Sequence, residues 1–170
     1  MNIQRNKKGF TIIEVVLVLA IAGLIFLMVF LALPQLQRSQ RDTQRKNDLS
    51  RVQTAIASYQ QNNKSALPTN TTAGWQAFIT KYVVSSGTDT FIDPLGTSGS
   101  QTGTTYEPVV GTAAGLAGTF VSSGGNETQN RIYFFSGFTC GSDGAVTAAG
   151  SKKVAIAMYL EGGGVACVNN

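Results

Sequence analysis

Three sets of residues in this 170-residue chain have types and spacing that could do chemistry. The first is a lone carboxylate, Glu14, five residues into an apolar run that begins at Phe10 and continues to Leu33. A carboxylate in hydrocarbon costs about 2.5–3.5 kcal/mol on insertion scales, so such groups are usually paired and functional. The second is the pair Cys140 and Cys167. They suit one disulfide in an oxidising compartment, or two buried thiols in a reducing one. The third is a scatter of acids, Asp89, Asp93, Glu107, Glu127, Asp143 and Glu161, none of them in the Asp-x-Asp spacing of a calcium loop. Nothing singles out a carboxylate pair for hydrolysis. The absence of histidine excludes histidine-dependent triads and histidine-ligated metals. The glycines of "GTAAGLAG" lack the Gly-Lys-Ser/Thr of a phosphate loop. No catalytic residue, metal or cofactor is expected.

The elements that must hold these residues are legible from composition. Val15 to Leu33 is nineteen residues without a charge. At about 1.5 Å per residue that approaches the roughly 30 Å of a bilayer core, so it reads as a membrane helix. Ala20-Ile21-Ala22 mimics a secretory cleavage site, but cutting there would leave "GLIFLMVFLAL" exposed. Pro34 ends the purely apolar stretch, yet the helical character continues through a segment rich in Gln, Arg, Lys and Ala. Leu49, Val52, Ile56 and Tyr59 recur at helical spacing and form one apolar face. A helix from about Phe10 to Gln61, roughly 80 Å long, is expected, with its stop at Asn62-Asn63 and Pro68. Between its apolar and amphipathic parts, Gln37 to Asp48 is polar on every side. Arg38, Arg41 and Arg45 share a face there, which reads as a solvated or headgroup-contacting collar.

Charge is divided unevenly. Residues 1–64 carry nine Lys/Arg and three Asp/Glu, a net +6, whereas residues 65–170 carry four and six, a net −2. The C-terminal domain therefore lacks the basic footprint of a nucleic-acid binder. Positive residues flank the apolar run on both sides: Arg5, Lys7 and Lys8 before it, and Arg38, Arg41, Arg45, Lys46 and Arg51 after it. A simple positive-inside count would keep the domain in the cytoplasm.

The N-terminal residues resolve that conflict. Lys7-Lys8-Gly9 followed by Phe10-Thr11-Ile12-Ile13-Glu14 and an apolar helix resembles the class III signal of type IV pilins and their relatives. The resemblance covers residues 1 to about 60, and the rest of this paragraph is what it implies. The leader, residues 1–9, stays in the cytoplasm while the domain crosses the membrane. A prepilin peptidase cuts between Gly9 and Phe10, and the new Phe10 amine is N-methylated. The helix of residues 10–62, membrane-spanning over 10–34 and amphipathic over 35–62, leaves the lipid and packs with other pilin subunits into a helical fibre. A membrane platform and an assembly ATPase drive this step, and the finished fibre lies outside the cell, where it meets host or cell surfaces. The amine released at Phe10 lies one helical turn before Glu14. On this chain or a neighbour it would partner the carboxylate and set the stagger of incoming subunits. Gly23 and Pro34 would give the helix flexibility during assembly, or Gly23 would serve close helix packing, and the Gln37–Asp48 collar would sit at the fibre's edge or be neutralised inside by Asp42 and Asp48.

Beyond Thr69 the chain reads as short apolar runs between Gly, Ser, Thr and Asn clusters. "WQAFITKYVV" suggests a short helix, or a helix then a strand. "TTYEPVV", "GTFVSS", "RIYFFSGFTC" and "KVAIAMYLEGGGVACV" suggest strands. Arg131–Phe138 and Lys153–Leu160 are expected to pair antiparallel, with a last strand over Gly164–Val168. The fold class is therefore α+β and pilin-like: one long helix packed by its Leu49/Val52/Ile56/Tyr59 face on a small antiparallel sheet in a head of residues 63–170. In pilins a C-terminal disulfide loop is common, which favours a Cys140–Cys167 bond. "FIDPLGTSGSQTGTTYEP" resembles the Asp-Pro-x-Gly turn of pilins at Asp93, Pro94, Gly96 and Tyr106, or is an ordinary Asp-Pro turn. Asn63-Lys64-Ser65, Asn70-Thr71-Thr72 and Asn126-Glu127-Thr128 fit the N-glycosylation pattern. Three readings stand at this level: a subunit of a pilus serving adhesion, motility or DNA uptake; a pseudopilin of a secretion or competence system; and a monomeric membrane-tethered binding module.

Overall fold

The computed structural model describes residues 9–84, 91–94, 104–111, 130–141 and 145–170. The chain divides into two compact units, Met1–Gln37 and Arg38–Asn170. The expected strand "GTFVSS" and the residues Asp89, Gly96, Glu127 and Asp143 lie outside the described residues.

Helix α1 runs from Ile12 to Asn62. In the first unit it is apolar on every side, and large hydrophobic residues from Phe10 to Leu36 are exposed. It is the one described helix long and apolar enough to cross a membrane. Pro34 lies inside α1, where its missing N–H leaves the carbonyl of residue 30 without the usual helical donor. A side chain added at Gly23 would meet open space, so nothing in the isolated chain requires glycine there.

In the second unit α1 acquires a buried face. Leu49, Val52 and Ile56 are fully buried, and Tyr59 packs against them. The helix ends in a left-handed turn: Lys64 and Ser65 have φ of 53° and 63°, and Ser65 N–H donates to the carbonyl of Gln60 at 2.8 Å. A short helix α2, Thr72–Phe78, follows. Thr71 caps it by accepting from the Gly74 N–H at 3.1 Å. The chain then continues as one wide, π-type stretch, Ile79–Val83, closed by a Val84 N–H to Ile79 carbonyl bond of 3.0 Å. The run "WQAFITKYVV" is therefore helical into Val83, with no strand.

The main sheet has four strands in the order β3-β4-β7-β8. They span Glu107–Val110, Arg131–Ser136, Val154–Tyr159 and Val165–Asn169. β7 pairs antiparallel with both β4 and β8, as the sequence predicts, whereas β3 runs parallel to β4. Two small antiparallel pairs complete the described strands: β1 (Ile92–Asp93) with β2 (Thr104–Thr105), and β5 (Phe138–Cys140) with β6 (Val146–Ala148). The arrangement is α+β and pilin-like, with a small, mostly antiparallel sheet.

Strand alternation explains how the sheet is covered on both faces. Ile132 and Phe134 of β4 and Val154, Ile156 and Met158 of β7 join the helical core, where Trp75 stacks on Phe134 with ring centroids 4.1 Å apart. The intervening β7 residues, Ala155 and Ala157, face the opposite side with Phe135, Phe138, Cys140, Val146 and Cys167. Their small side chains leave room for the β5–β6 hairpin to lie on the sheet. Cys140 and Cys167 are joined there in a disulfide that ties the hairpin to β8. Gly111 follows β3 because a Cβ there would fall 1.6 Å from the Phe135 ring.

Candidate processing and assembly site

The N-terminal site sits at the start of α1. Gly9 and Phe10 are exposed, with Phe10 at 86 %. Thr11 precedes the first helical residue, and Glu14 is the third residue inside the helix. The Glu14 N–H donates to the Thr11 carbonyl at 3.1 Å and reaches Thr11 Oγ1 at 3.4 Å. The Thr11 hydroxyl in turn donates to Glu14 Oε2 at 3.5 Å. Thr-x-x-Glu in this position is the sequence of a capping box, and a carboxylate in the first turn also favours the positive end of the helix dipole. Glu14 thus has a local structural role that the sequence reading missed, although the Thr11/Glu14 spacing carried the signal. The hydroxyl contact does not neutralise the carboxylate, because a hydroxyl is a dipole and not a cation.

The polar segment of α1 in the second unit is solvated on one side, as its composition suggests, with Arg38, Ser39, Gln40, Thr43, Gln44, Lys46 and Asn47 exposed, but its other side is buried. Arg45 is fully buried, and its guanidinium grips Asp93 through two bonds, Nε to Oδ2 at 2.7 Å and Nη2 to Oδ1 at 2.9 Å. Its Nη1 donates to Asp42 Oδ1 at 3.2 Å. Asp42 also accepts from the Glu161 and Gly162 N–H groups at 2.7 and 2.8 Å, fastening the turn between β7 and β8 to the helix. Arg41 makes a second two-bond pair, with Glu161, at 2.6 Å for each contact. Asp48 accepts from the Tyr106 hydroxyl at 2.9 Å. Asp42, Arg45 and Asp48 are therefore buried against the head, and Arg41 is half-buried there. Arg38 is the most exposed of the three arginines and lies 3.6 Å from Glu161.

The electrostatics follow from this geometry. The Arg41 hydrogen bond, outweighing burial, holds the Glu161 carboxyl below its usual range. Burial pushes Asp48 up, opposed by its bond from Tyr106 and by Arg51. Burial and the Asp48 charge push the Tyr106 phenol far up, so it remains a donor. Burial disfavours the Arg45 charge, but the Asp93 bonds together with the neighbouring negative charges, Asp93 and Asp42 among them, more than offset it. Sequence periodicity could not find this network, because it displays the arginines and not their partners. Asp93 lies 48 residues from Arg45, and Glu161 lies 120 residues from Arg41.

The expected Asp93-Pro94 turn acquires a role here: Asp93 is buried under α1, and Tyr106 packs against Phe91 with ring centroids 4.7 Å apart. No group of three or more acids or cysteines able to hold a metal occurs among the described residues. Residues 4–30 match the family described as the prokaryotic N-terminal methylation motif. No curated protein and no solved structure matches the chain. The apolar helix and the motif are consistent with a membrane-anchored protein. Residues 4–30 thus carry the N-terminal methylation motif, the class III signal found in type IV pilins.

Proposed function

We propose that the chain is a structural subunit of a type IV pilus-like fibre. Residues 1–9 are its leader, residues 10–34 its membrane span before assembly, and residues 63–170 the exported head. Prepilin peptidase cleaves between Gly9 and Phe10, the Phe10 amine is methylated, and subunits polymerise through α1. The observation that carries this reading is the position of Glu14: the motif places it at the start of a helix whose apolar surface is exposed on all sides. The described residues offer that surface nothing to pack on, and lipid followed by neighbouring helices would supply the cover in turn. The Phe10 amine supplies the cation that the Thr11 cap does not. A neighbour displaced by about one helical turn, roughly 6 Å, brings its amine to Glu14. Fibre formation then depends on charge at one position. Glu14→Ala is expected to be cut normally and to lose surface fibres in electron micrographs; normal fibres in that variant would refute the reading.

A further inference from the structure

Of the three N-glycosylation patterns in the sequence, the structure separates two. At Asn63 the side-chain Nδ2, the atom a glycan would occupy, donates to the Tyr59 carbonyl at 2.8 Å and helps close the end of α1. Asn70 is the reverse case. It is exposed, in the irregular link between α1 and α2. Its Oδ1 faces inward, accepting from the Trp75 indole at 3.4 Å and from the Ser136 hydroxyl at 3.1 Å. An indole N–H can only donate, so the atom facing it is the oxygen, and Nδ2 is the outward atom. No described residue bonds that nitrogen. Thr72, the hydroxyl residue of the pattern, is also exposed and begins the short helix α2.

We infer that Asn70 is an N-glycosylation site of the exported head and that Asn63 is not. The co-substrate is an oligosaccharide linked through a diphosphate to a membrane polyprenol. The bond formed joins Asn70 Nδ2 to the anomeric carbon. The bond broken joins that carbon to the diphosphate oxygen, which leaves with the electron pair, and the displaced amide proton goes to the transferase base. No atom is oxidised or reduced. The glycosylated amide keeps its carbonyl oxygen, so the acceptor for Trp75 and Ser136 survives the modification.

The inference rests on the export proposed above, and one digest separates the two. Trypsin acting on protein recovered from its native cells yields Ser65–Lys81, which contains Asn70, and Val52–Lys64, which contains Asn63. The first peptide should be heavier by whole sugar residues located on Asn70, and the second should be unshifted. Thr72→Ala should abolish the shift, whereas Thr72→Ser should retain it. An unmodified Ser65–Lys81 from chains that begin at Phe10 would overturn this inference and leave the export reading standing. Unmodified peptide from chains that retain the leader would overturn both. Sugar on Thr71, Thr72 or Asn63, or a shift that survives Thr72→Ala, would also overturn it.

Discussion

The two parts of helix α1 obey opposite rules. Residues 12–37 are almost wholly apolar and exposed, whereas residues 38–62 are dense in charge and yet contribute fully buried side chains. Ordinary hydropathy would bury the first and solvate the second. The difference shows where each segment finds its partners. Arg45 and Asp42 find theirs within the chain, in Asp93 and the turn at Glu161–Gly162. Leu24, Phe26 and Phe30 are exposed among the described residues and call for cover by lipid or another subunit.

The sharpest way to break this contrast is to strip a partner from the buried charge. Asp93→Ala removes the two-bond partner of the buried Arg45 guanidinium and should destabilise the head by about 3–5 kcal/mol in denaturant unfolding. Arg45→Met combined with Asp93→Leu should recover most of that loss, because an apolar pair of similar volume avoids the desolvation penalty. A double variant as unstable as the single would show that the charges themselves are required.

Next in size is the covalent tie. Reduction, or Cys140→Ser with Cys167→Ser, opens a loop of 28 residues and should cost about 3–4 kcal/mol on the chain-entropy account. Protein that unfolds identically with and without reductant would remove the disulfide from the account of head stability. Gly111→Ala drives a methyl into the Phe135 ring and should cost about 1–3 kcal/mol.

The second ion pair makes a prediction in pH. Arg41 holds the Glu161 carboxyl below its unfolded value. The stability this contributes is complete above the unfolded carboxylate range and is lost as pH falls through the lower folded value. Glu161→Gln should therefore lower stability by about 1–2 kcal/mol near neutrality and flatten the acid-side decline. Asp48 works in the opposite sense: its folded value is raised, so its ionisation costs stability as pH rises, and Asp48→Asn should remove that opposing slope. The smallest effect belongs to the apolar part. Leu24→Ala, measured on the full chain in detergent, should change head unfolding by less than about 0.5 kcal/mol. A large loss there would mean that the two parts of α1 are not governed separately.

What the sequence made legible divides along the same line. Helical periodicity over Leu49, Val52 and Ile56 identified the core face, and the β-branched and aromatic runs identified β4, β7 and β8 with their antiparallel pairing. Both are local patterns: one buried face in the helix, and runs covered on both faces in β7. The parallel β3–β4 pair was not legible, because nothing in "EPVV" encodes the direction of its neighbour. The fate of "ITKYV" stayed open between helix and strand because its β-branched and aromatic residues suit a strand equally well. The buried side of the charged segment was misread for a related reason. A composition that is polar on all sides looks solvated unless the acids that will meet it are known, and these lie in distant loops. At the N-terminus the spacing from Gly9 to Glu14 named the processing motif, while the Thr11–Glu14 cap went unseen because the carboxylate already had an explanation.

The central claim, that a liberated amine at Phe10 is the cation for Glu14, is tested most directly by the N-terminal peptide of protein taken from the cell surface. Trypsin cuts after Lys8, so an unprocessed chain yields a peptide that begins at Gly9 and ends at Arg38. The account predicts a peptide that begins instead at Phe10, lighter by one glycine and heavier by one methyl group on the amine. A surface protein whose peptide still begins at Gly9 would leave Glu14 without its cation and contradict the account.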